Sequence, residues 1–304
     1  MKRKVVKHGV STLTLSLPSK WAGANKIKNG DFLDIEISKD QLIISSGVNK
    51  HFEATEATIT GDEEWYIARI LRHLYTSGYD EIKLNYTNKE QLELIRKGIK
   101  NLTGMEIVES KPTYCLLKCV ISSDDSDYQQ IVNRILWLIH SQFEYFIEDC
   151  NKGEPVMEKE VNEIHKTVLK LNNLCRRMIN KRPLYDSTAS KYVYWFLTSL
   201  LNISSFIVYS YNPVSKSKKI KLTKNEFELV KTTSSFFYSL LLAYKNVDLE
   251  KTREFFQERE ALFDNILEVL KEDNPIITHY FLDILKEMSS IGNLVIALKS
   301  NEEK

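Results

Sequence analysis

The chain has 304 residues, 43% hydrophobic and 11% aromatic, enough to bury a sizeable core and to form two or three domains. A net charge of +1 excludes attraction of a polyanion by overall charge, and ten glycines leave little material for phosphate-cradling loops. The charge is unevenly placed: residues 1–30 hold seven Lys and Arg and no Asp or Glu, +7, whereas 31–304 hold 35 basic against 41 acidic residues, −6. A basic head on an acidic body suggests a polyanion-binding module joined to something else.

Residues 1–46 read as β-β-α-β-β. Val5 and Val6 lie in the first strand. In the second, Leu13, Leu15 and Leu17 alternate with Thr12, Thr14 and Ser16, a period of two. Pro18 ends that strand, and Ser19 is placed to cap a short helix carrying Trp21. Asn29-Gly30 signals a tight turn. Leu33, Ile35 and Ile37 then alternate with Asp34, Glu36 and Ser38, and after Lys39-Asp40-Gln41 the last strand is "LIIS". So small a unit cannot bury a core alone.

The stretch "SGVNK", 46–50, marks a first break and "SSDDSD", 122–127, a second. Between them the pattern is mixed α/β. Trp65, Ala68, Leu71, Leu74 and Tyr75 have helical spacing within 62–77, and Ile82, Leu84 and Tyr86 alternate as in a strand. Asn88 starts a second helix with Leu92, Ile95, Ile99 and Leu102 on one face, and Gly104 ends it. Residues 105–110 and 114–121 form a hairpin around Lys111-Pro112.

From 125 the pattern is helical throughout, with six helices expected at 125–150, 154–181, 185–212, 223–246, 248–272 and 275–299. Val161, Ile164, Val168, Leu171, Cys175 and Met178 make an a/d seam for antiparallel packing. Thr223 with Glu226 spells a capping box, and Asn274-Pro275 a helix start. The interruption "NPVSKSKKIK", 212–221, divides the helices three and three, as two bundles in series. The expected domains are therefore 1–47, 50–122 and 125–304.

Two stretches at opposite ends carry a resemblance. "LTLSLPSKWAGANKIKNGDFLDIEISKDQLIIS" resembles the AbrB/MazE/SpoVT family of swapped-hairpin DNA-binding domains, through the strand ending in Leu17-Pro18, the short helix, the Ile27-x-x-Gly30-Asp31 turn and the closing hairpin. That resemblance implies two chains interleaving into one barrel-like dimer on double-stranded DNA. The helical region resembles the phosphate-uptake regulator family, PhoU, whose members are built from two similar three-helix bundles. The order of parts is similar to a prokaryotic, largely archaeal group of phosphate-uptake regulators. The implied class is α+β multidomain: an N-terminal swapped-hairpin β-barrel, a small central α/β segment and a C-terminal PhoU-like pair of bundles.

The residues this assigns to DNA are Lys2, Arg3, Lys4, Lys7, His8, Ser11, Thr12, Thr14 and Lys20, with the polar strand face and the basic residues gathered on one side. Relatives often carry arginines after the Pro and its helix start. Ala22 and Gly23 stand there instead, which favours lysine–phosphate contacts over bidentate guanine reading. Many PhoU members bind iron or another metal through E/D-x-x-x-D motifs. Here the first bundle offers Glu158-x-x-x-Asn162, with an amide in the second place, and the second offers the matching Glu260-x-x-x-Asp264. His165, near Glu158 and Asn162, is a lesser ligand candidate, and His140 is read as a bundle residue.

No Walker, dinucleotide or HExxH motif is present, and an enzyme is not expected. Cys115, Cys119, Cys150 and Cys175 form no CxxC pair and are read as free thiols of a cytoplasmic protein. Met1 to Lys28 lacks the long apolar run of a signal peptide. The charge-free segment 192–212 is long enough for a bilayer. Its hydroxyl and amide groups favour an interior helix of a water-soluble bundle over a membrane anchor. The first expectation is a homodimeric DNA-binding regulator. The alternative is an adaptor docking on a transporter or signalling protein, its N-terminal barrel serving only to dimerise it.

Overall fold

The structure is a computed structural model that describes residues 2–38, 41–45, 52–121, 128–181, 187–215, 218–246, 249–269, 271 and 275–302. The two expected linkers at 46–50 and 122–127, the Lys39-Asp40 turn and Asn274 lie outside the described residues. The fold is α+β, about 63% helical, with small sheets and a helical C-terminal region. It divides into two compact units, Met1–Phe52 and Glu53–Lys304.

The first unit has the expected order: β1 (Val6–His8), β2 (Thr12–Thr14), α1 (Ser19–Ala24), β3 (Asp34–Ser38) and β4 (Gln41–Ser45). β1 pairs antiparallel with β2, and β3 with β4, as two separate two-stranded sheets. Strand β2 stops at Thr14, so the pairing is shorter than the Leu13–Leu17 alternation implies. Ser19 is the first helical residue and not the cap; Pro18 holds that position, and α1 has no side-chain cap. At the Asn29-Gly30 turn Gly30 takes φ +94°, and the Asp31 carboxylate accepts from the Lys28 N–H at 2.6 Å.

The second unit opens with β5 (Ala54–Thr58), a strand the sequence did not reveal. Then follow α2 (Glu64–Thr76), β6 (Glu81–Asn85), α3 (Lys89–Ile99), β7 (Met105–Ser110) and β8 (Tyr114–Cys119). The sheet order is β5-β6-β8-β7, with β5 parallel to β6 and the other pairs antiparallel. Asn88 caps α3, accepting from the Gln91 N–H at 2.8 Å. Ile67, Leu71 and Tyr75 of α2 and Ile95 of α3 are buried with Ile82, Leu84, Cys115 and Leu117 of the sheet in one cluster.

The helical part comprises α4 (Tyr128–Lys152), α5 (Glu158–Lys181), α6 (Ser187–Tyr209), the short α7 (Asn212–Ser215), α8 (Lys224–Asn246), α9 (Leu249–Val269) and α10 (Pro275–Glu302). Helices α4, α5 and α6 pack on one another, as do α8, α9 and α10, and the two sets meet where α6 crosses α10 and α4 crosses α8. A single hydrophobic core runs through both sets, so they lie side by side and not simply in series. On the α5 seam Val161, Val168, Cys175 and Met178 are buried, and Ile164 and Leu171 partly so. The capping box is present: Thr223 N–H donates to Glu226 Oε2 at 2.7 Å, and Glu226 N–H to Thr223 Oγ1 at 3.1 Å. Asp149, fully buried near the end of α4, accepts from Met157 N–H at 2.8 Å and Tyr211 O–H at 3.0 Å.

The sheet layer is fastened to the helices through the end of α2. The last carbonyls of a helix lack intrahelical donors and carry partial negative charge. Arg177 of α5 supplies donors, reaching Tyr75 O at 3.0 Å and Tyr79 O at 2.8 Å, while Asn180 Nδ2 reaches Thr76 O at 2.7 Å. The Arg177 fork also meets Asp80 Oδ1 at 2.8 Å, and Lys181 pairs with the other oxygen of the same carboxylate. Gly78 turns the chain here with φ +101°, and a Cβ added to it would stand 3.0 Å from Lys181 Cγ.

The Arg177 side chain is only 4% exposed, so removing its partner leaves a stranded charge. We expect Asp80→Ala, which strands Arg177, to cost about 3–5 kcal/mol of stability, read by urea denaturation of the full chain. The double variant Arg177→Met with Asp80→Asn should recover part of the loss, because the buried guanidinium is gone and only Lys181, the more exposed of the two cations, loses its partner.

Candidate nucleic-acid interface

All nine residues assigned to DNA are exposed. Lys2, Arg3 and Lys4 precede β1, Ser11 lies in the turn between β1 and β2, and Lys20 sits in the first turn of α1. The register pairs Val6 with Thr14, Lys7 with Leu13, and His8 with Thr12. Residues directly opposite share a face of the ladder. His8, Thr12 and Thr14 therefore stand together on one face, with Thr14 Oγ1 donating to Val6 O at 3.1 Å. Lys7 stands on the other, beside Leu13. Within one hairpin the register thus sets Lys7 on the leucine face and not on the threonine face.

Apolar surface in this unit is open. Val5, Val6, Leu13, Phe32, Ile35, Ile37 and Leu42 are each more than half exposed, and no described residue of 2–52 is buried. In the second hairpin Ile35 pairs with Ile44 and Ile37 with Leu42, so four aliphatic side chains share one face. A stripe of this kind on a unit without a core calls for a cover.

The metal candidates are not brought together. Glu260 is exposed and ion-paired with Arg259, and the Asp264 side chain lies outside the described residues. Glu158 is half-buried, and the Asn162 amide donates to its backbone carbonyl at 2.8 Å. Among the described residues no three His, Cys, Asp or Glu side chains are grouped to hold a metal ion. His140 Nδ1 stands 3.6 Å from Glu144 Oε2 and packs against Trp137 and Tyr238. His165 Nδ1 is 2.9 Å from Ser204 Oγ. Cys115 and Cys175 are buried, and burial raises their thiols to about 11 and about 12. Helix α6 contains the one stretch among the described residues long and apolar enough to cross a membrane, Lys191–Tyr209; 44% of its apolar window is buried within the protein.

A second group of charges was missed in the sequence. Arg72 of α2 lies near Arg69 of the same helix and near Arg176 of α5. The three-residue spacing within α2 was visible, but only the docking of α5 on α2 brings the third arginine.

The chain matches no family model, no curated protein and no solved structure.

Burial, and after it the charge of Arg72, lowers the His165 pKa below the ordinary histidine value near 6.5. Protonation therefore favours the unfolded chain, so stability present above about pH 6.5 is lost as the pH falls. His165→Gln should flatten the decline in stability that sets in as the pH falls below about 6.5, measured as the pH dependence of the urea midpoint relative to its own value at pH 7.

Proposed function

We propose that the protein is a DNA-binding transcriptional regulator linked to phosphate uptake or sensing. In this reading two copies interleave their N-terminal units into a swapped-hairpin barrel that binds double-stranded DNA. Helices α4–α6 and α8–α10 act as a PhoU-like pair of three-helix bundles that receive the signal. Helix α6 is then an interior helix of a cytoplasmic protein. The observation that carries the proposal is the second hairpin's aliphatic face: Ile35, Ile37 and Leu42 are 62%, 77% and 64% exposed in a unit that has seven basic and no acidic residues in its first thirty. A second copy would cover the stripe and double the charge at once. The resemblance of 13–45 to swapped-hairpin domains supports the same arrangement.

One observation favours the adaptor reading. Lys7 shares its face with Leu13, so a partner laid over that face would also draw Lys7 away from DNA. The basic residues outside the strands, Lys2, Arg3, Lys4 and Lys20, are unaffected by this argument.

The full chain should sediment as a dimer and bind a random-sequence duplex in fluorescence anisotropy. If roughly six phosphates are neutralised per dimer, log affinity should fall against log salt with a slope of about −5. Lys4→Glu should weaken binding to all sequences alike, and Lys7→Glu should do so less, or disturb dimerisation instead. A dimer whose DNA affinity is unmoved by Lys4→Glu would leave the adaptor reading. A monomer would remove both.

A further inference from the structure

We propose that Arg69, Arg72 and Arg176 form a binding site for a phosphate-type oxyanion at the junction of α2, α5 and α6. The site lies wholly in the second unit and stands independently of the DNA reading. Its geometry follows from the clasp at the end of α2. Arg177 and Asn180 of α5 hold the carbonyls of Tyr75, Thr76 and Tyr79. Arg176 is the residue just before Arg177 and Arg72 lies one turn before Thr76, and the same docking sets the two guanidinium charges within reach of each other. Arg69 is three residues before Arg72, on the adjoining surface of α2.

Among the described residues no carboxylate pairs with any of the three, and Arg72 makes no hydrogen bond there. Arg69 rests on the Trp65 ring, 5.6 Å from its centroid, and Arg176 on the Tyr194 ring at 4.8 Å. Aromatic faces orient a guanidinium plane without neutralising it. Arg176 also donates to Thr198 Oγ1 at 2.9 Å, while its Nε is buried with no acceptor.

The electrostatics point the same way. Burial lowers the pKa of Arg72, and the charges of Arg69 and Arg176 add to that effect. Burial likewise lowers that of Arg176. Partly desolvated like charges are held together by packing, and a bound anion would relieve both penalties. Neighbouring His165, its pKa lowered, adds no charge of its own at neutral pH. Planar guanidinium forks match the paired oxygens of a phosphoryl group, and two to three positive charges match a dianion. Free inorganic phosphate and the phosphoryl group of a small metabolite share this chemistry.

The test uses the full chain in phosphate-free buffer at constant ionic strength, with calorimetric titration of inorganic phosphate and, separately, of AMP. Saturable binding of at least one probe with a Kd below about 1 mM is expected. Equal affinities assign free phosphate, and AMP binding more than about tenfold tighter assigns a phosphorylated ligand. Arg72→Gln should weaken binding at least tenfold and, by relieving repulsion, raise the thermal midpoint in anion-free buffer. Arg69→Gln, at an exposed position, should weaken binding without threatening the fold, so the site stays testable if Arg72→Gln does not express. Lack of saturable binding by either probe, or affinity undiminished in Arg69→Gln and Arg72→Gln, would overturn the proposal. None of these variants alters residues 1–52, so duplex binding by the same preparations reports on the DNA reading separately.

Discussion

A single carboxylate organises the second unit. Asp80 follows the turn after α2 and receives Arg177 and Lys181 from α5, a helix about a hundred residues further along the chain. Without this pair the sheet layer would touch the helical core chiefly along one helix, α2 against α5. With it, the C-terminal carbonyls of α2, the turn at Gly78 and the start of β6 are fixed to one point on α5. Burying a guanidinium is unfavourable unless its donors are satisfied, and here Tyr75 O, Tyr79 O and Asp80 satisfy them together. Such an arrangement specifies one docking of α2 on α5, because a shift by a turn would strand the charge.

The N-terminal unit shows the opposite condition. Its hairpins are well defined locally, by Gly30 at one turn and by the β1–β2 and β3–β4 ladders, but among the described residues of this unit none covers Ile35, Ile37 and Leu42. Local order without a core is what a unit completed by another copy requires. The two halves of the molecule thus differ in kind. One is closed by its own buried charge pair and a continuous apolar core, and the other is left open along an aliphatic stripe.

The long helices were legible in the sequence because their apolar spacing is strict: the seam from Val161 to Met178 and the Thr223/Glu226 box both reappear as read. Strand β5 was not legible, since Ala-Thr-Glu-Ala-Thr has no large apolar residue and owes its existence to pairing with β6. The face of the hairpin on which Lys7 stands was not legible, because face assignment depends on register, which the turn sets. The arginine group was invisible for a different reason. Arg72 and Arg176 are remote in sequence, and only tertiary packing makes them neighbours. Among the residues assigned to DNA the lysines and Arg3 stood out by charge, yet charge carried no information on which face each would occupy.

The hydrogen bonds of Asp80 have a mechanical consequence. Besides its two cations, Asp80 Oδ2 accepts from the Glu53 N–H at 3.1 Å, and Glu53 O accepts from Asp80 N–H at 2.7 Å. Glu53 is the first residue of the second unit, where the chain arrives from the hairpins. Beyond it β5 lies parallel to β6 through five paired positions, Ala54–Glu81 to Thr58–Asn85. Tension drawn along the chain toward its N-terminus therefore loads that ladder in shear, with its bridges sharing the force, and does not peel them singly. The same tension passes through Asp80 into Arg177 and Lys181. The tether of the N-terminal unit is rooted in α5 by an ionic bolt, and whatever strains one end of that tether is felt first at the helix that also carries Arg176.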